Sequence, residues 1–296
     1  MKKILLCAVC ISVLQALNAE QLTVSYVDGF LFLKSGSSWE ELLIGDSVPD
    51  TATVKLDAQS QAELTSKTAK LLLTKAGTYQ LQTLMKSARD VKQSGLGSLV
   101  SSKLKIMGSE QKVAVPSTTA GVRADVVQFD ESIWVTGDSA EYIRDGKEFL
   151  KNGRYEDAFH TFAEGYDMAV DADEEAEFTF YMGYSQMLAG NPLKALALLT
   201  PVKPQRDSDY YTDYYIVTGN LLIEALAFDE AANFLSGYDP DAKTRTDESY
   251  QTISYLEGYA YKMMGDTERA RKAFTRSYTL GKDTDIGKEA VRLIQE

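Results

Sequence analysis

The chain has 296 residues, 44% of them hydrophobic and 25% charged, which is length and apolar content enough for more than one buried core. Its 43 acidic residues outweigh 31 basic ones, and the net charge of −12 repels phosphate backbones and anionic lipid surfaces, which argues against nucleic acid as a partner. One histidine and two cysteines leave no material for a two-histidine zinc motif or a histidine-assisted cysteine nucleophile.

At the start, Met1-Lys2-Lys3 is followed by an apolar run over residues 4–17 and by Leu17-Asn18-Ala19, the pattern of a secretory signal ending at residue 19. The run is too short for a membrane-spanning helix, and no later stretch comes closer. Cys7 and Cys10 both fall inside it. The residue before Cys10 is Val9 and the apolar run continues beyond, so apolar filler is a better reading than a lipid attachment point. The expectation is an exported protein of the periplasm or cell envelope, without disulfides and without a membrane span.

From residue 22 to residue 83 apolar and polar positions alternate with the period of half-buried strands. Strands are predicted at residues 22–27, 30–33, 53–56, 62–65, 70–74 and 78–82, with Asp28-Gly29 read as a hairpin turn joining the first two. A helical insertion is expected within residues 87–107. Strand-like sequence resumes at residues 112–115, 122–129 and 133–135, and Gly137-Asp138-Ser139 marks the boundary. The β half thus spans residues 20–137.

The second half is built on a repeat. Gly146, Gly183, Gly219 and Gly258 are each followed twelve residues later by Ala158, Ala195, Ala231 and Ala270, and the glycines lie 37, 36 and 39 positions apart. That period is close to the roughly 34 residues of a helix-turn-helix solenoid unit. Small side chains in phase let two antiparallel helices approach closely. Each pair then leaves an apolar face for the next to cover. Residues 284–296 read as a capping helix, with Ile286, Ala290, Val291 and Ile294 on one face.

Two resemblances follow from these residues. Tyr142, Gly146, Phe149, Gly153, Tyr155, Ala158 and Phe162 fall at the aromatic, glycine and alanine positions of the tetratricopeptide repeat, and Gly258, Tyr261, Gly265, Ala270 and Phe274 do so again. Gly183, Gly190, Ala195 and Leu199 carry the second unit; Gly219, Leu222, Ala231 and Leu235 carry the third. Asp145, Thr218 and Glu257 stand where the family usually has leucine. The N-terminal half resembles the FecR-type periplasmic domain through Val24-Ser25-Tyr26-Val27-Asp28-Gly29, Trp39, Leu42, Gly45-Asp46 and the strand pair within residues 53–65. Its closing segment is similar to residues 115–123, although Ala124 and Asp125 follow Arg123 where the family usually has Arg-Gly-Thr.

The resemblances imply an α+β multidomain protein: an all-β FecR-like domain, then an α-solenoid of about four tetratricopeptide helix pairs with a cap over residues 138–296. In the repeat family the first helix of each unit lines a concave groove. Lys147, Phe180, Tyr184, Asn220, Tyr255 and Tyr259 would then face a protein or peptide partner, with helix packing as the competing role for the aromatic residues. Only Lys147 and Asn220 could grip a carboxylate, and they lie in separate units.

No cofactor, metal site or enzymatic activity is expected. Asp171, Asp173, Glu174 and Glu175 lack the spacing of a calcium loop, as do Asp239 and Asp241. The function expected is a non-enzymatic envelope adaptor or scaffold. The alternatives are a hydrolase acting on the cell wall and a ligand-binding accessory of a transport system.

Overall fold

The computed structural model describes residues 20–93 and 139–295. The signal at residues 1–19, the strand-like stretches at 112–115, 122–129 and 133–135, and the boundary near 137 lie outside the described residues.

Among the described residues, the N-terminal module has eight strands: β1 (Gln21–Asp28), β2 (Leu31–Ser35), β3 (Ser38–Leu42), β4 (Ser47–Pro49), β5 (Thr53–Leu56), β6 (Gln61–Thr65), β7 (Lys70–Leu73) and β8 (Gly77–Gln80). They divide into two four-stranded antiparallel sheets, ordered β4-β1-β6-β7 and β3-β2-β5-β8. The inward members of each alternating strand meet between the sheets: Leu22, Val24, Leu31, Val54, Leu56, Ala62, Leu64 and Leu71 are all buried.

The expected hairpin at Asp28-Gly29 does not form, because β1 and β2 belong to different sheets. Those two residues instead turn a corner from one sheet to the other. Gly29 has φ +86, and a Cβ there would stand 2.2 Å from Ser60 Oγ, the same oxygen that accepts from Phe30 N at 3.0 Å. The strand pair within residues 53–65 is likewise split between the sheets. Periodicity finds strands but not their partners.

Residues 78–82, expected to be strand throughout, pass at Leu81 into helix α1 (Leu81–Gln93). Leu81 and Met85 are buried against the sandwich core, with Leu84 and Ala88 partly buried beside them. That spacing is a helical stripe. The helix starts earlier than expected, and α1 packs beside β7 and β8.

The helical half has α2 (Ser139–Lys151), α3 (Tyr155–Asp167), α4 (Ala172–Leu188), α5 (Pro192–Leu199), α6 (Tyr211–Glu224), α7 (Phe228–Ser236), α8 (Asp247–Met263), α9 (Thr267–Leu280) and α10 (Asp285–Gln295). The described residues fall into two compact units, one joining residues 20–93 with 206–295 and the other holding residues 139–205. In the latter, α2 packs on α3, α3 on α4, and α4 on α5. In the former, α6 pairs with α7 and α8 with α9, while α10 covers α9.

The repeat glycines sit where the helices of a pair touch. A Cβ on Gly146 would lie 2.3 Å from the Phe162 ring, one on Gly183 2.6 Å from Leu199, one on Gly219 2.4 Å from Leu235, and one on Gly258 2.7 Å from Phe274. In every pair the obstructing residue is sixteen positions on, one turn past the repeat alanine. The alanines are themselves buried. The large residue fills the space that the glycine leaves, and burying a Phe or Leu there contributes about 1.5–3 kcal/mol.

Seven residues after the first glycine of three pairs comes a second, Gly153, Gly190 and Gly265, at positive φ in the turn between helices. The third pair has Leu226 there, at φ +57. A leucine in the left-handed region costs roughly 1–2 kcal/mol. Its side chain packs against the β sandwich core, which offsets that strain.

Candidate interaction surfaces

Of the six residues expected to face a partner, Lys147 is the one with substantial exposure. Its Nζ lies 4.6 Å from the centre of the Tyr181 ring and 4.0 Å from Glu177 Oε1, on the neighbouring helix α4. Phe180, Tyr184, Asn220, Tyr255 and Tyr259 are each at most 3% exposed. The Phe180 and Tyr184 rings are parallel, with centres 6.1 Å apart. Tyr255 packs on Phe274 at 5.8 Å, and its buried hydroxyl has no hydrogen-bond partner among the described residues. Burial pushes its ionisation above the usual tyrosine range.

Asn220 donates through Nδ2 to Glu224 Oε1 at 2.9 Å, one helical turn on, while its Oδ1 is buried without a partner among the described residues. Burial raises the Glu224 carboxyl above the ordinary carboxylate range, opposed by the Asn220 bond and by Lys70. Glu257 is raised in the same way, with Arg276 opposing. Both carboxylates serve packed helices.

The acidic run at 171–175 has a structural role. Asp171 caps α4, its Oδ1 accepting from Asp173 N at 3.0 Å and Glu174 N at 2.9 Å. Asp239 pairs with Arg206 at 3.0 Å. His160 is exposed beside Phe159. Among the described residues, no group of three or more His, Cys, Asp or Glu side chains could hold a metal ion, and no helix is long and apolar enough to cross a membrane.

The β module offers a surface that the sequence pattern did not single out. Phe30, Trp39, Leu43 and Ile44 are 53%, 40%, 60% and 62% exposed, and all four lie in or beside the β2–β3 hairpin. Phe30 stacks on Phe32 with ring centres 6.3 Å apart, and Lys55 Nζ lies 5.6 Å from the Phe32 ring. The legible signal is Trp39-Glu40-Glu41-Leu42-Leu43-Ile44. Three consecutive apolar residues at its end exceed what a strand with one buried face can cover.

On another side of this module, Lys75 reaches the first turn of α7, with Nζ 2.7 Å from Glu230 Oε1 and 3.1 Å from Asp229 Oδ2. Hydrogen bonds to those carboxylates raise the Lys75 ammonium and lower Asp229. Leu226, just before α7, packs on the same module, so the sandwich is seated on the third helix pair.

No protein-family model and no curated protein sequence matches the chain. Among solved structures, the chain is similar to "MamA RS-1 ArsTM double mutant" at 18% identity and a TM-score of 0.41, over 54% of this chain and 93% of that one. It is similar to "MamA 41-end from Desulfovibrio magneticus RS-1" at 19% identity and a TM-score of 0.41, over 54% of this chain and 94% of that one.

Proposed function

We propose that this protein is a non-enzymatic adaptor that binds protein or peptide partners of a cell envelope. The observation that carries the reading is the repeated helix pair, four times nested on a glycine against a large side chain, in a chain whose β module also has an exposed apolar border. Stacked pairs supply extended contact surface rather than an enclosed pocket. The N-terminal module is taken as FecR-like on the motifs from Val24 to Gly29 and around Trp39, with residues 20–137 as its extent and 138–296 as the solenoid. Export rests on the signal pattern at residues 1–19.

The helical surface enters this reading through Lys147 at its exposed margin. Phe180, Tyr184, Asn220, Tyr255 and Tyr259 contribute directly only if binding uncovers them, and otherwise hold the shape beneath. Crosslinking of the full chain in its native envelope, followed by identification of the captured species, tests the proposal. Reproducible capture of a defined protein supports it. Release of fragments from purified cell wall by the isolated protein would replace it with a hydrolase.

A further inference from the structure

Strand β3 is an edge whose outer side is open among the described residues. Among the four sheet edges, β7 and β8 lie beside α1, and β4 is only three residues long, whereas β3 runs for five residues with four of them exposed. Among the described residues, no backbone or side-chain group bonds to its free side.

The hairpin geometry says which groups are available. β2 and β3 are joined by the two residues Gly36 and Ser37, of which only Gly36 has positive φ, at +60, the arrangement of a type II′ turn. Such a turn closes on a hydrogen-bonded pair, here Ser35 with Ser38. Leu33 with Glu40 and Leu31 with Leu42 are then bonded pairs as well. Trp39 and Glu41, in the alternate positions, direct their N–H and C=O groups away from β2 toward the open edge. Unpaired edge groups of this kind are a template for a further strand.

Charge selects the occupant. Glu40 and Glu41 lie side by side on this strand, project to opposite faces, and make no ion pair among the described residues. An antiparallel two-fold pair of β3 strands centred at Glu40 would place that carboxylate opposite its own copy, which is destabilising. The net charge of −12 adds to the repulsion between copies. An incoming segment with lysine or arginine on both faces would meet a carboxylate on each. Apolar side chains at its ends would meet Trp39 at one end of β3 and Phe30, Leu43 and Ile44 at the other.

We propose that the open edge of β3 binds an extended, basic segment of a partner protein by strand addition, with Trp39 and Glu41 supplying the backbone hydrogen bonds and Glu40 and Glu41 selecting positive charge. The proposal does not depend on any binding by the helix pairs, so failure of either leaves the other standing.

The test uses the full chain and a fluorescent seven-residue probe with two adjacent lysines at its centre, one on each face of the extended strand, and valine or threonine elsewhere, followed by fluorescence anisotropy and by hydrogen exchange at the Trp39 and Glu41 amides. In the free protein those amides exchange rapidly, and they become protected as the peptide binds. A probe with N-methyl groups on alternate amides, or one with glutamate in place of lysine, binds about tenfold more weakly or worse. The doubly exchanged protein Glu40→Lys, Glu41→Lys reverses the preference, favouring the glutamate probe. Both sites are exposed, so that variant retains the fold, and an unchanged thermal midpoint verifies it.

Several results would overturn the proposal. Absence of binding does so, as does equal affinity for the N-methylated probe, which would mean apolar contact without strand addition. Amides already protected in the free chain would show the edge to be covered by the chain itself. Protection that grows with protein concentration would show it to be covered by a second copy.

Discussion

Gly146 sits inside a helix, where replacing glycine with alanine ordinarily stabilises by about 1 kcal/mol. Here the sign reverses, because the new Cβ would meet the fully buried, rigid ring of Phe162 at 2.3 Å. Gly146→Ala is expected to lower stability by about 2 kcal/mol, in the range of overpacked cores, and Phe162→Val in the same chain to recover part of the loss. Denaturant titration of the single and double variants measures both. A stabilising Gly146→Ala would mean that the helices do not touch there. Leu226 gives a second reversal at this scale. Alanine in its place keeps the left-handed backbone and loses the contact with the sandwich, whereas glycine loses the contact but relieves the backbone. Leu226→Gly should therefore be more stable than Leu226→Ala by about 1 kcal/mol. Equal thermal midpoints for the two would remove the strain from the account.

Elements are tied to one another by polar contacts whose strength depends on pH. Glu20, just before β1, accepts from Thr68 Oγ1 at 2.7 Å in the turn between β6 and β7, and from Arg89 Nη2 of α1 at 2.7 Å. Side-chain hydrogen bonds from Ser66 and Thr68, joined by Arg89, lower its carboxyl from 4.5 to about 2. A carboxyl whose folded value is depressed stabilises the fold above its unfolded value, and the contribution disappears as pH falls through the folded one. Glu20→Gln is therefore expected to be less stable than the parent at pH 7, with the gap closing between about pH 4.5 and pH 2. Urea midpoints across that range check it, and a gap that persists at pH 2 would remove the ionised carboxylate as the cause. The half-buried Glu224 and Glu257 have the opposite sign, since their raised values favour the fold at low pH and disfavour it as pH rises. The Lys75 bridge to α7 is exposed at both ends and contributes at most about 1 kcal/mol. The seating of the sandwich on the third helix pair rests more on Leu226.

At the scale of the molecule, the consequential feature is that residues 20–93 join residues 206–295 in one compact unit, while residues 139–205 form another. Chain order puts two helix pairs between the β module and the pair that seats it. The device is written locally, in a leucine where the other pairs have a turn glycine and in a lysine opposite an acidic first turn. Crosslinking in the native envelope is expected to capture a defined partner, and capture through the β module to be lost in the Glu40→Lys, Glu41→Lys protein. Capture unaffected by that exchange would point to the helical surface instead.

Sequence by itself determined the repeat. Glycine, alanine and the large residue sixteen positions on recur in phase, and only one arrangement of two antiparallel helices fits those three sizes at one crossing. It also determined most strands, because alternation follows from the two faces of a pleated chain. Tertiary structure decided which strands share a sheet, since Asp28-Gly29 can close a hairpin or turn a sandwich corner, and in the corner only Gly29 takes a positive φ. It decided too that Phe180, Tyr184, Asn220, Tyr255 and Tyr259 lie inside: a helix reports the face on which a side chain stands but not what is packed against that face. The open edge of β3 belongs to the same class, because an unpaired backbone group is defined only by the neighbour it lacks.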